Sequence, residues 1–209
     1  MLPTMRTDAS RPENLARSAL HCGAALFALW LLSRLPPVEL RIVAVAVAVA
    51  CWGLEWTRRR VTSLNAVLMG SLGVFAHPHE RVGVNSGTWY ATGLAALALV
   101  APPPAAAAGI AVLGFGDPAA GFVGRRWGRT PIGPRRSLEG TAAFACVGAA
   151  AAWIALRVGW PQVVSAWVPA LAAGVAGSGA EVGVRGVDDN VSVPLVAALA
   201  AGATVLLVA

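Results

Sequence analysis

From residue 15 to its last residue the chain is a succession of apolar runs, each close to the roughly twenty residues with which an α-helix crosses a bilayer, broken by clusters of proline, glycine and arginine. Inside hydrocarbon no water satisfies a backbone N–H or C=O, so a chain built this way is confined to a helix bundle or a closed barrel. One stretch, VAVAVAVA at 43–50, alternates like a strand. A lone strand in lipid would leave its backbone unsatisfied, so the stretch is read as a helix of small and β-branched residues. With 57% hydrophobic and 12% charged residues, an ordinary soluble domain is excluded. The expectation is an all-α integral membrane protein, a bundle of about seven transmembrane helices with a cytoplasmic Arg/Gly-rich active-site loop.

The expected spans are 15–35, stopped by Pro36 and Pro37; 38–56, followed at once by Arg58, Arg59 and Arg60; 86–101; 105–123, after a turn at Pro102, Pro103 and Pro104; 137–157; 163–184, rich in alanine and glycine; and 191–209. Residues 61–76 hold Thr62, Ser63, Asn65, Gly70 and Gly73 in too short a run, and are read as partly buried, interfacial or re-entrant. His77, His79, Glu80 and Arg81 belong to a polar connection. The apolar segment after residue 14 is long for a signal-peptide core, so it is expected to be kept as the first span.

All 16 basic residues are arginine. If 61–76 does not cross, then Arg6, Arg11, Arg17, the triple arginine, the central arginines and Arg185 share one side. If it does cross, the two large arginine clusters fall on opposite sides. The positive-inside rule selects the first arrangement, with the N-terminus cytoplasmic. Charge at span ends orients the chain in its bilayer and meets anionic ligands; it is not a nucleic-acid footprint. Cys22, Cys51 and Cys146 lie in apolar runs without metal-ligand spacing and read as packing residues. No repeat divides the chain, so 1–209 is taken as a single membrane-embedded domain with its chemistry at 114–195. Its oligomeric state stays open.

That chemistry centres on 114–140, GFGDPAAGFVGRRWGRTPIGPRRSLEG, which interrupts the apolar runs with acids at Asp117 and Glu139. In the selected topology Glu181, Asp188 and Asp189 join them near one face. Carboxylates at helix ends suit Mg²⁺, which is usually held by one or two of them plus substrate phosphates. Nearby arginines offer bidentate contacts to phosphate, and glycines such as Gly116 and Gly124 let backbone approach a ligand. The sum is a nucleoside triphosphate or pyrophosphate site at a membrane surface.

Each part also has a plain structural reading. Asp117 can be a helix cap, Arg125, Arg126 and Arg129 positive-inside anchors, 136–139 a capped helix start, and 188–190 a turn capping the last helix. Glu181 inside an apolar span needs a partner such as Arg185. The coincidence of all of them on one face favours chemistry.

The ordered set GDPAAGFVGRRWGR, RRSLEGTAAF, then a glutamate and DDNVSVPL resembles the polyprenol-type lipid kinases, a family that includes dolichol kinase, phytol kinase and the CTP-dependent diacylglycerol kinase. Fainter similarity reaches Arg17 and His21 in the first span and Gly87-Thr88-Trp89-Tyr90, although a packed, satisfied histidine is the plainer reading of His21. Arg136 stands where the family usually has lysine, which keeps the charge but changes the geometry. The resemblance implies phosphoryl transfer from CTP or ATP to a membrane lipid alcohol of dolichol, polyprenol or phytol type. It implies that Asp117 and one or both of Asp188 and Asp189 hold Mg²⁺ with help from Asn190. Gly116, Gly124, Arg125, Arg126, Arg129, Arg135, Arg136 and Ser137 would then hold phosphates, and Glu139 or Glu181 would accept the alcohol proton or hold a second metal.

A CTP-dependent diacylglycerol kinase, or a phosphatidate cytidylyltransferase, would want much the same residues; the motif order favours the kinase. A proton-coupled transporter is a poorer fit, because the acids sit with arginines at span ends and no inverted repeat is visible.

Overall fold

The computed structural model of the chain describes residues 15–72, 83–133 and 136–208. Within them it is helical apart from short connections and one small hairpin. Helix α1 (Leu15–Arg34) stops at Pro36, and α2 (Pro37–Arg60) starts on Pro37, whose fixed φ suits a first helical position. The VAVAVAVA stretch lies within α2 and is helical, as its lipid setting requires. A short helix α3 (Thr62–Leu72) follows; the rest of the 61–76 segment, and His77 to Arg81 after it, lie outside the described residues.

Helix α4 (Ser86–Val100) is capped by Asn85, whose side chain accepts from the Gly87 N–H at 2.8 Å. The proline turn at 102–104 proves to be the first turn of the next helix, for Pro103 and Pro104 cost no hydrogen bonds there. That helix, Pro103–Trp127, is continuous: α5 (Pro103–Ala111) passes through a π turn (Val112–Gly116) into α6 (Asp117–Trp127). The Arg/Gly-rich loop expected between the spans 105–123 and 137–157 is therefore shorter at its start, for the helix continues to Trp127. Its described non-helical residues are 128–133 and 136–137, and Arg125 and Arg126 make a favourable last turn instead of a break. There β1 (Pro131–Gly133) pairs antiparallel with β2 (Arg136–Ser137) and leads into α7 (Leu138–Gly159), followed by α8 (Trp167–Gly183) and α9 (Asp189–Val208).

Pro103–Trp127 is the central helix: 56% of its most apolar window is buried, against 11% for α1 and 6% for α2. Phe144, Leu113, Val112, Leu156 and Val193 fill the core between it, α7, α8 and α9. Small residues set the spacing. A Cβ on Gly174 would lie 2.6 Å from the Ala145 carbonyl, and one on Gly116 would lie 2.8 Å from the Phe144 ring.

By contrast α1 and α2 show Leu26, Phe27, Trp30, Ile42, Val45 and Val49 to the outside. So much exposed apolar surface belongs in hydrocarbon, and the chain is a membrane protein. Among the described residues four helices, Leu15–Arg34, Pro37–Arg60, Pro103–Trp127 and Leu138–Gly159, are long and apolar enough to cross a bilayer.

The end of α2 is tied to the approach to α4. Glu55 accepts from the Asn85 N–H at 2.9 Å, and Arg58 donates to the Gly83 carbonyl at 2.6 Å. At the other end Arg41 donates to the Ala98 carbonyl at 3.2 Å, so α2 and α4 run antiparallel. Between Arg60 and Ser86 the chain returns to the end of the bundle from which it left.

Candidate active site

Pro118 carries no N–H, so the Gly114 carbonyl lacks its donor one turn on. A π turn lies directly before Asp117, and the thiol of Cys22 on α1 sits 3.3 Å from that carbonyl as a substitute donor. Gly114 admits α1 so closely that a Cβ there would collide with Ala25. Cys22 is thus a small packing residue with a specific hydrogen bond. Asp117 follows within the unbroken helix, exposed and without a capping bond, which removes the helix-cap reading. Its charge reaches His21, Cys22, Glu181 and Asp189.

The hairpin aims Arg136. Thr130 accepts from the Leu138 N–H at 2.9 Å, and the Ser137 hydroxyl accepts from the Gly140 N–H at 3.1 Å, so Ser137 caps α7. Arg136 then spans the ends of two helices. Its Nε lies 3.3 Å from Glu181 Oε1 on α8, and its Nη2 donates to Asp189 Oδ2 on α9 at 2.8 Å. The partner of Glu181 is Arg136, not Arg185 as helical spacing suggested, because the hairpin carries a guanidinium in from the side. Glu181 Oε2 is buried with no hydrogen-bond partner among the described residues, and so is Nε of Arg125.

Asp189 lies ahead of the apolar run at 191–209. Burial pushes its carboxyl up from the ordinary value; Arg136 opposes this, and the charges of Asp188 and Asp117 add to it. Asp117, Glu181 and Asp189 therefore share one electrostatic field, with Arg136 inside it. Among the described residues no three His, Cys, Asp or Glu side chains are close enough to form a ready metal cage.

The remaining expected residues divide. Asp188 does cap the last helix: its Oδ1 accepts from the Asn190 N–H at 3.0 Å and from Nδ2 at 2.8 Å. Asn190 is thereby tied to Asp188. Glu139 is turned away, its carboxylate taking the Thr130 N–H at 3.2 Å and the Thr130 hydroxyl at 3.1 Å, so that it braces the 128–137 connection. Arg126 and Arg129 are exposed, Arg126 lying beside the Trp127 ring at 5.6 Å. Arg135 lies outside the described residues. Gly116 and Gly124 face Phe144 and Ser137, not open space, so the structure places these two glycines in the packing of α6 on α7 where phosphate contacts were expected.

No family model matches the chain, and no solved structure matches it. It is 30% identical over 197 residues to the phytol kinase of Synechocystis sp., an alignment that covers 92% of this chain and 80% of that protein. The chain belongs to the polyprenol-type lipid kinase family.

Two further groups stand apart from the Arg136 cluster. His21 is not the satisfied histidine that its apolar surroundings suggest: its Nε2 is buried without a partner among the described residues, as is Tyr90 Oη, and the two rings meet edge to face at 4.9 Å. The other group, Glu55 with Arg58, went unnoticed in the sequence, where Arg58 to Arg60 read as a charge marker. A glutamate three residues before an arginine at the end of an apolar helix was the available signal.

Proposed function

We propose that the chain transfers the γ-phosphoryl group of a nucleoside triphosphate, CTP or ATP, to the hydroxyl of a membrane isoprenoid alcohol. The observation that carries this reading is the Arg136 fork on Glu181 and Asp189 beside the exposed Asp117, in a chain similar over most of its length to a phytol kinase. Phosphoryl transfer asks little covalent chemistry of a protein; it needs charge neutralised and the attacking and leaving oxygens placed in line through the phosphorus.

The residues fit a hard cation. Asp117 is exposed and Asp189 is 42% exposed in its side chain, two carboxylates of the kind that hold Mg²⁺ together with substrate phosphates and water. Bound there, Mg²⁺ would neutralise charge on the phosphates. Arg125, Arg126, Arg129 and Arg136 hold the triphosphate, with Arg125 contributing the Nε that has no partner among the described residues. The alcohol oxygen attacks the γ-phosphorus, the bond to the β-phosphate oxygen breaks, and the nucleoside diphosphate leaves. Glu181 Oε2 takes the alcohol proton. Ser137 and Asp188 act as caps that hold Arg136 and Asp189 in register.

In this reading α1, α2, α4, the Pro103–Trp127 helix, α7, α8 and α9 cross the membrane and α3 does not, which leaves the arginine-rich end and the N-terminus cytoplasmic. The test is a product assay with purified protein, Mg²⁺ and γ-labelled CTP or ATP. The acceptor panel holds farnesol, geranylgeraniol, phytol, a long polyprenol, diacylglycerol and phosphatidic acid. Label in an isoprenoid phosphate is the expected result. Label only in phosphatidate, or released as pyrophosphate while a CDP-lipid forms, overturns it.

A further inference from the structure

Helices α1 and α2 scarcely touch, and a groove of about 430 Å³ opens between them and α4, floored by Ala106 and Ile110. The volume falls within the range of about 300–1,000 Å³ that suits one small-molecule ligand. Its walls are aliphatic, and its polar groups gather at one end, where Arg17, His21, Asn85, Tyr90 and Asn190 meet. From His21 to Leu32 the apolar wall of α1 climbs about 16 Å at the rise of an α-helix, roughly half the hydrocarbon thickness of a bilayer.

Two observations at the polar end call for a ligand. Tyr90 is only 8% exposed, yet its hydroxyl has no partner among the described residues, and the buried His21 Nε2 beside it has none either. Unanswered polar atoms of this kind are rare in a finished fold. The end is also joined to the phosphate site: Asn190 lines the groove while bonded to Asp188, next to the Asp189 held by Arg136, and the charge of Asp117 reaches His21. Gly93 is what brings α4 to that point, since a Cβ there would strike the Asn190 carbonyl.

We propose that this groove holds the single chain of the acceptor alcohol, with its hydroxyl at the His21 and Tyr90 end and Tyr90 Oη donating to the hydroxyl oxygen. The assignment rests on the proposed kinase reaction for its choice of occupant. It places the acceptor on the α1 and α2 side of Asp117 and the nucleotide on the hairpin side, and it limits the enclosed part of the chain to the length of the α1 wall.

Two variants and one occupancy measurement test it. Tyr90→Phe removes an oxygen that makes no bond among the described residues, so the fold should be unchanged; loss of one substrate hydrogen bond should raise the KM for geranylgeraniol about tenfold and leave the nucleotide KM alone. Val47→Trp fills the groove from a residue that is 50% exposed, and should abolish turnover of geranylgeraniol while sparing the shorter geraniol. In the wild-type protein a diazirine-bearing geranylgeraniol should crosslink to α1, α2 or α4 without nucleotide present. Wild-type kinetics in both variants, or crosslinks confined to other helices, would overturn the groove assignment. Crosslinks in the groove with no phosphate transferred to any isoprenoid would leave the groove standing and remove the kinase reaction.

Discussion

The side chains of Glu55 and Arg58 are 5% and 3% exposed; those of Arg136 and Asp189 are 31% and 42% exposed. Both clusters pair arginine with carboxylate at helix ends, yet they differ in what is left over. Around Glu55 and Arg58 the partners are all protein: Arg58 also reaches Asn65 at 2.9 Å and the Gly83 carbonyl, and Glu55 takes the Asn85 N–H. Around Arg136, Glu181 keeps a buried oxygen with no partner among the described residues and Asp189 is half-exposed. A closed cluster joins elements; an open one is built to meet something else.

The largest effect expected from this contrast is on the closed side. Arg58→Met would leave the buried Glu55 with the more exposed Arg59, 3.4 Å away, as its remaining charged partner among the described residues, and should destabilise the protein by about 3 kcal/mol, read as a lowered melting temperature in detergent. A melting temperature within about 2 °C of wild type, the scale of a surface change, would show the cluster to be no more structural than the open one.

On the open side the loss should be in turnover. Glu181→Gln, Asp189→Asn and Asp117→Asn should each lower kcat by about 10²-fold or more while the fold persists. For Asp189→Asn the melting temperature at neutral pH should not fall through loss of the charge itself. Its carboxyl titrates higher in the fold than unfolded, so this group favours the folded state below its unfolded value, and that advantage is lost as pH rises through the folded value. A clear drop in stability for Asp189→Asn at pH 7 would contradict the open character given to the cluster.

A smaller effect belongs to Glu139, whose bonds to Thr130 brace the hairpin from an exposed position. Glu139→Gln should leave turnover within about tenfold of wild type, on the order of one or two hydrogen bonds. A loss as deep as that of Glu181→Gln would return Glu139 to the chemistry.

These contrasts mark how far the sequence could be read. Apolar length alone located α1, α2, α7 and the central helix, because lipid leaves the backbone no alternative. The central helix was expected to end at 123 and runs on to Trp127, since Gly124 and the arginines after it read as loop although Gly124 packs against Ser137 within regular helix. The acids at 117, 181 and 189 were legible as expensive charges in an apolar chain. Their partner was not, because it depends on a short hairpin that turns Arg136 sideways toward Glu181, and no periodicity encodes that turn. Glu55 escaped for the opposite reason: it is satisfied, and a satisfied charge leaves no signal beyond its spacing from Arg58.

The most direct test of the open cluster is transfer of γ-label from CTP or ATP to phytol by wild type, Glu181→Gln and Glu55→Gln, each normalised to folded protein. The account predicts label in phytyl phosphate from wild type, near-complete loss in Glu181→Gln, and retained specific activity in whatever fraction of Glu55→Gln folds. Undiminished transfer by Glu181→Gln would contradict it.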